Sequence, residues 1–233
     1  MSESASSSGS SAGGGQAEFR VMLRPIATSL PLGFFAFTAG TILLTALELR
    51  WVPFFEDPQL MLMVLAFVVP LEVISGLMAF AARDSGAATG LTLLGAAWLA
   101  TSLTVMHGAP GALSLPLAIF LLVLTPLMAA MAIPAMSGTP LFGVVLSAGA
   151  LRFALTGIFQ ATGIQVLEQI AGWIGVPLAA FALYGGLALL LEEASGRLSL
   201  PLGRRGRSRT SLTGGFEHQI QQAEQEPGIR RQL

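Results

Sequence analysis

The stretch IAGWIGVPLAAFALYGGLALLL, Ile170–Leu191, carries no charged side chain and decides the fold class. About 20 apolar residues wound as a helix cross the roughly 30 Å hydrocarbon layer of a bilayer, and this run is long enough to do so. Working outward, five more segments meet the same test: Ser29–Leu49, Pro58–Ala82, Gly86–Met106, Gly111–Met136 and Pro140–Thr162. The connections RWVPFFED, RDS, HGAP, SGT and GIQVLEQ hold the Gly, Pro and polar residues that break helices. The whole chain agrees with this reading. Its mean hydropathy is +0.72, and only 11% of its 233 residues are charged, against about 25% in soluble domains. The sequence predicts an all-α, multi-pass membrane protein.

All twelve basic residues are arginine, so orientation rests on arginine alone. Arg20, Arg24, Arg83, Arg197, Arg204, Arg205, Arg207 and Arg209 flank spans on one side, and Arg50 sits alone on the other. Cytoplasmic flanks collect Lys and Arg, which places both termini in the cytoplasm and the protein in the plasma or inner membrane. Trp51 and Trp173 then fall at the far interface, while Trp98 lies mid-span and its indole N–H needs a partner inside the bundle. Residues 1–27 read as a disordered Ser/Gly/Ala arm, 28–203 as the transmembrane domain and 204–233 as a disordered cytoplasmic tail. Cysteine is absent, which removes disulfides and thiolate chemistry.

Two ionisable residues fall near mid-span, Glu72 in VVPLEVISG and Arg152 in SAGALRFALTGIFQ. A charge there costs about 2.5–3.5 kcal/mol on insertion scales, so each must face protein or water. Two readings stand side by side. In one, Glu72 and Arg152 form a buried ion pair that fixes helix packing. In the other, they line a polar path, Arg152 offering a permanently charged fork to a carboxylate and Glu72 a carboxyl able to take up a proton. Pro70, two residues before Glu72, reads as a packing kink, and the Gly86/Gly90 and Gly185/Gly186 pairs read as close helix contacts. For enzymatic chemistry the inventory is poor. His107 is at a span end, His218 is in the tail, and neither a nucleophile elbow nor a metalloprotease motif occurs. No cofactor or metal is expected, and RRGRSR after the last span suits topology and anionic lipid better than nucleic acid.

Two stretches carry a family resemblance. Ala171-Gly172-Trp173-Ile174-Gly175, Tyr184, Glu193, Gly196-Arg197 and Leu200-Pro201-x-Gly203 resemble the C-terminal signature of the acetate uptake transporter family, the GPR1/FUN34/YaaH group. PLGFFAFTAGTILL, from Pro31, Leu32 and Gly33 to Leu44, resembles its opening motif, and Gly76, Gly95 and Trp98 fall at its internal glycine and Gly-x-x-Trp positions. The resemblance implies six helices per protomer around a central pore, built like urea and amide channels, with protomers assembled as hexamers. It implies transport of acetate and similar monocarboxylates, in some members succinate, with protons. It puts Phe37 in a narrow apolar ring, with Leu94 where the family has a tyrosine. This chain also departs from the family pattern at Thr28-Ser29, Gln160 and Ile164, and at Arg152 and Glu72, where neutral residues are the expectation.

The function expected is passive or proton-coupled transport of small monocarboxylates, acetate first. Phe37, Leu94, Trp98, Arg152 and Glu72 are the candidate pore residues, and the chain is not expected to be an enzyme. The alternatives are a channel for a small neutral solute such as ammonia, urea or an amide, and a non-transporting adaptor that works through its basic tail.

Overall fold

The computed structural model describes residues 27–195 and 200–205. The N-terminal arm, the Gly196-Arg197 pair and the tail from residue 206 lie outside the described residues. Among the described residues, six helices are long and apolar enough to cross a membrane. They are α1 (Leu30–Glu48), α2 (Phe54–Ala81), α3 (Ser85–His107), α4 (Leu115–Gly138), α5 (Pro140–Thr162) and α6 (Gln165–Ser195).

Local chemistry sets the boundaries. Asp84 and Ser114 cap α3 and α4 by accepting from the backbone N–H of Ala87 (3.0 Å) and Leu117 (3.3 Å), and Pro140 opens α5 where its missing N–H costs nothing. Gly163 ends α5 in the left-handed region at φ 74°, which glycine enters without strain. Four boundaries differ from the sequence reading by a turn or so: α2 begins at Phe54 rather than Pro58, α6 ends at Ser195 rather than Leu191, and two starts shift. α4 starts at Leu115 because Gly111 turns at φ 71°, and α6 starts at Gln165, so most of GIQVLEQ is helix and only Gly163-Ile164 breaks the chain. Pro70 does not end α2. The preceding turn, Val64–Val68, widens to a π-helix, which makes room for the ring that would otherwise press on the carbonyl four residues back.

Each helix packs against its neighbours in a closed ring: α1 on α2, α2 on α3, α3 on α4, α4 on α5, α5 on α6 and α6 back on α1. The α3–α4 seam is the loosest. Outward faces carry large apolar side chains, among them Phe67, Phe80, Ile119 and Ile133, as a bilayer requires. Residues 200–205 lie against the bundle: Leu202 is buried, Tyr184 Oη donates to the Pro201 carbonyl at 3.0 Å, and Arg204 pairs with Glu192 at 2.8 Å. Contacts with the bundle continue to Arg205, whose N–H donates to the Gly138 carbonyl at 2.8 Å.

Candidate functional site

Three cavities lie in line along the ring. At the end where α1 begins, a cavity of about 500 Å³ is bordered by Gly33, Phe34, Asp84, Gly138 and Arg204. At the opposite end, a cavity of about 220 Å³ is bordered by Arg50, Asp57, Ser114, Gln160 and Glu168. Between them is a void of about 30 Å³, room for one or two waters, walled by α1, α3, α4, α5 and α6. Phe37, Leu94 and Gly149 border both this void and the larger cavity, so they form the partition between them. Towards the other end the step is one helical turn: Thr101 gives way to Thr104, Leu121 to Leu117 and Thr156 to Gln160.

The structure brings Phe37, Leu94, Trp98 and Arg152 together on the central void. Phe37 and Trp98 rings stand 6.2 Å apart. Around them the wall is apolar, except for Thr41, Thr101, Thr156 and Arg152. Trp98 Nε1 and Thr41 Oγ1 are buried without a hydrogen-bond partner, so the mid-span indole lacks the protein partner expected of it. The indole N–H can only donate, whereas the Thr41 hydroxyl can donate or accept.

Glu72 is not the partner of Arg152. The guanidinium pairs with Glu48 in the last turn of α1: Nε and Nη2 donate to Oε2 at 3.1 and 2.6 Å. Nη2 also donates to Thr45 Oγ1 (3.0 Å) and Nη1 to the Thr41 carbonyl (3.4 Å), and Thr156 Oγ1 donates to the second Glu48 oxygen at 2.9 Å. These bonds use four of the five guanidinium N–H groups, leaving one on Nη1. Arg152 is 4% exposed and Glu48 1%. The pair is therefore buried and hydrogen-bonded, and its Arg152 member borders a cavity.

The family-like glycines explain how the side chains meet. A Cβ at Gly175 of α6 would collide with Thr45 Oγ1 and the Arg152 guanidinium, and one at Gly172 would press on Glu48 and Leu49. The missing side chains of α6 are thus the space through which an arginine of α5 reaches a carboxylate of α1. Gly33, Gly76 and Gly95 do the same for other contacts, against Leu91 and Ser75, Thr92, and Val73 and Glu72 respectively. Pro31 and Leu32 open α1, Tyr184 anchors the returning chain, and Trp173 points outward, 67% exposed.

Glu72 sits away from the void, on the face of α2 that meets Gly95 of α3, with no exposed surface and both carboxyl oxygens unpartnered. The sequence reading missed Glu48 because it stands at a span boundary, where a charge looks ordinary. A signal was present: Thr41, Thr45 and Glu48 recur at helical spacing and put a polar stripe on an otherwise apolar helix.

No family model matches the chain. It is 27% identical over 182 residues to the succinate-acetate/proton symporter SatP of Escherichia coli K12, an alignment covering 76% of this chain and 96% of that protein. The SatP proteins of E. coli O157:H7 and Shigella flexneri match to the same extent. Among solved structures, the bacterial acetate channel SatP superposes with a TM-score of 0.67 at 25% identity, covering 76% of this chain and 99% of that one.

Proposed function

We propose that this chain, by homology a member of the acetate uptake transporter family, conducts small monocarboxylates across the membrane, acetate first, through the line of cavities inside each protomer. The single observation that carries the route is the central void, whose wall holds the partition residues Phe37 and Leu94 together with Arg152, the guanidinium that Glu48 pairs from outside that wall. Acetate is almost wholly anionic at neutral pH, since its carboxyl ionises in the range of Glu. An anion in the apolar middle of a membrane needs a positive host or a proton. Arg152 is a permanent cation there, with one N–H to spare, and Thr41 and Trp98 add two unpartnered donors. A wall whose polar groups are a guanidinium, an indole N–H and hydroxyls able to donate, set among apolar side chains, suits a carboxylate with a short apolar tail. The void is smaller than acetate, so passage requires the Phe37 and Leu94 side chains to move aside.

Proton coupling, succinate as a second substrate and assembly as a hexamer are further parts of this reading. The names of the relatives and the family resemblance support the first two, and the apolar outer faces of α2 and α4 suit neighbours as well as lipid. Arginine placement supports cytoplasmic termini: Arg83, Arg204 and Arg205 lie at the end where α1 begins, and Arg50 lies at the other.

One observation favours a second reading. Glu48 already neutralises Arg152, and a neutral wall also suits an uncharged solute such as ammonia, urea or an amide. Uptake of radiolabelled acetate into proteoliposomes, with and without an inward acid gradient, tests both. A carrier of carboxylates gives saturable uptake that unlabelled propionate competes for. A neutral-solute channel gives no carboxylate-competed flux.

A further inference from the structure

Arg50 follows α1 with φ 56°, a left-handed conformation that favours glycine and strains an arginine. It is held there by its side chain. Nη1 donates to Asp57 Oδ2 at 3.0 Å, Nη2 donates to Glu168 Oε1 at 2.8 Å, and the guanidinium lies 3.8 Å over the Phe54 ring. One guanidinium thus serves two buried carboxylates, while Arg152 serves one. On α6, Glu168 stands one turn before Gly172, the glycine that packs on Glu48, so the two ion groups are adjacent.

Three carboxylates face two guanidiniums across this junction. Among the described residues no other cation balances them: in the same cavity wall the polar side chains are Thr104 of α3, Ser114 before α4 and Gln160 of α5, and the exposed His107 turns Nδ1 to its own helix carbonyl of Leu103. An uncompensated charge in so buried a place is costly. One atom marks where the compensation belongs. Asp57 is 2% exposed and borders the 220 Å³ cavity, yet its Oδ1 has no partner.

We propose that the cluster Arg50–Asp57–Glu168–Glu48–Arg152 holds one exchangeable proton, taken up from the 220 Å³ cavity by the Asp57/Glu168 pair, and that this proton makes Arg152 attractive to a carboxylate. The proton comes from water in the cavity and adds to a carboxylate oxygen; no other bond is made or broken. With the proton aboard, the cluster is neutral and Arg152 meets an incoming anion without opposition. Without it, a net negative charge lies nearby. In general, a unit charge on the order of 10 Å from an anion, at an effective dielectric constant of about 20, changes its affinity about tenfold. A metal cation fits less well: Arg50 repels it, and a single free oxygen does not make the six or so ligands that a hard cation takes. The coupling rests on the monocarboxylate reading above, whereas the proton site does not.

Two measurements on the full-length protein test it. In proteoliposomes, an inward acid gradient is expected to raise wild-type acetate uptake about tenfold, and Glu168→Gln is expected to bring the ratio with and without the gradient close to one. Infrared difference titration of purified protein without acetate is expected to show a carboxyl that protonates in wild type, is lost in Glu168→Gln, is altered in Asp57→Asn and is kept in Glu72→Gln. If Glu168→Gln does not assemble, Asp57→Asn carries both readouts, because it removes the same surplus charge. The proposal is overturned if the variants keep the wild-type gradient ratio, if the titrating band survives in both, or if sodium rather than acid drives uptake. Wild-type protein that moves no acetate would refute the transport reading alone, since the infrared arm still decides the proton site.

Discussion

At Arg152 the cost of losing a charge depends on what the charge leaves behind. Arg152→Gln strands Glu48 in a buried site with only Thr156 to donate to it. Removing one member of a buried pair typically costs about 3–5 kcal/mol. The single variant is therefore expected to lower the melting temperature sharply and to assemble poorly. Arg152→Gln combined with Glu48→Gln keeps hydrogen-bonding shape without charge, and is expected to recover most of the stability while acetate uptake stays low. A melting curve and an uptake assay on both proteins separate the two roles. Recovery of uptake along with stability would assign the pair to packing alone. Glu72 is a different kind of residue: it does not border the void that Arg152 borders, so Glu72→Gln leaves the ion pair and its wall in place.

Among the elements, α6 shapes the Arg152–Glu48 contact through its glycines. Its glycines let α1 and α5 exchange an ion pair across its face. Gly175→Ala puts a methyl group into the space of Thr45 Oγ1 and the Arg152 guanidinium, and overpacking of this kind costs about 1–3 kcal/mol where neighbours can shift. Here the neighbours are a bonded ion pair, so the loss is expected at the upper end and uptake is expected to fall with it. Gly149→Ala, where nothing lies within 4 Å of the added methyl, is the matched control and is expected to melt like wild type. α2 makes the complementary point. Pro70 stays inside a continuous span because one widened turn absorbs its ring.

For the molecule as a whole, the expected behaviour follows from three cavities separated by thin partitions. Phe37 is shared between the central void and the 500 Å³ cavity, so Phe37→Ala joins them. An apolar pocket discriminates a methylene by roughly 10- to 200-fold, and an enlarged partition surrenders part of that selectivity. Uptake of butyrate relative to acetate is therefore expected to rise about tenfold in Phe37→Ala, measured by competition in proteoliposomes. An unchanged ratio would move the selective step away from this partition.

The sequence by itself determined that the chain crosses a membrane as six helices, because span length and the absence of charge are local properties that need no partner. It also marked Phe37, Leu94 and Trp98 by family-like position, and Arg152 and Glu72 by their cost in apolar runs, as candidate pore residues; that the first four border one void, and Glu72 does not, came from the structure. Only the tertiary structure decided what Arg152 bonds to. Glu72 lies near the middle of its span and Glu48 at the end of its own, so depth along each helix favoured the wrong carboxylate. Which side chains meet depends on helix rotation, on side-chain reach and on where a third helix leaves a gap. Those are set by packing between segments more than 100 residues apart in the chain, and Gly172 and Gly175 show their purpose only once α1, α5 and α6 stand together.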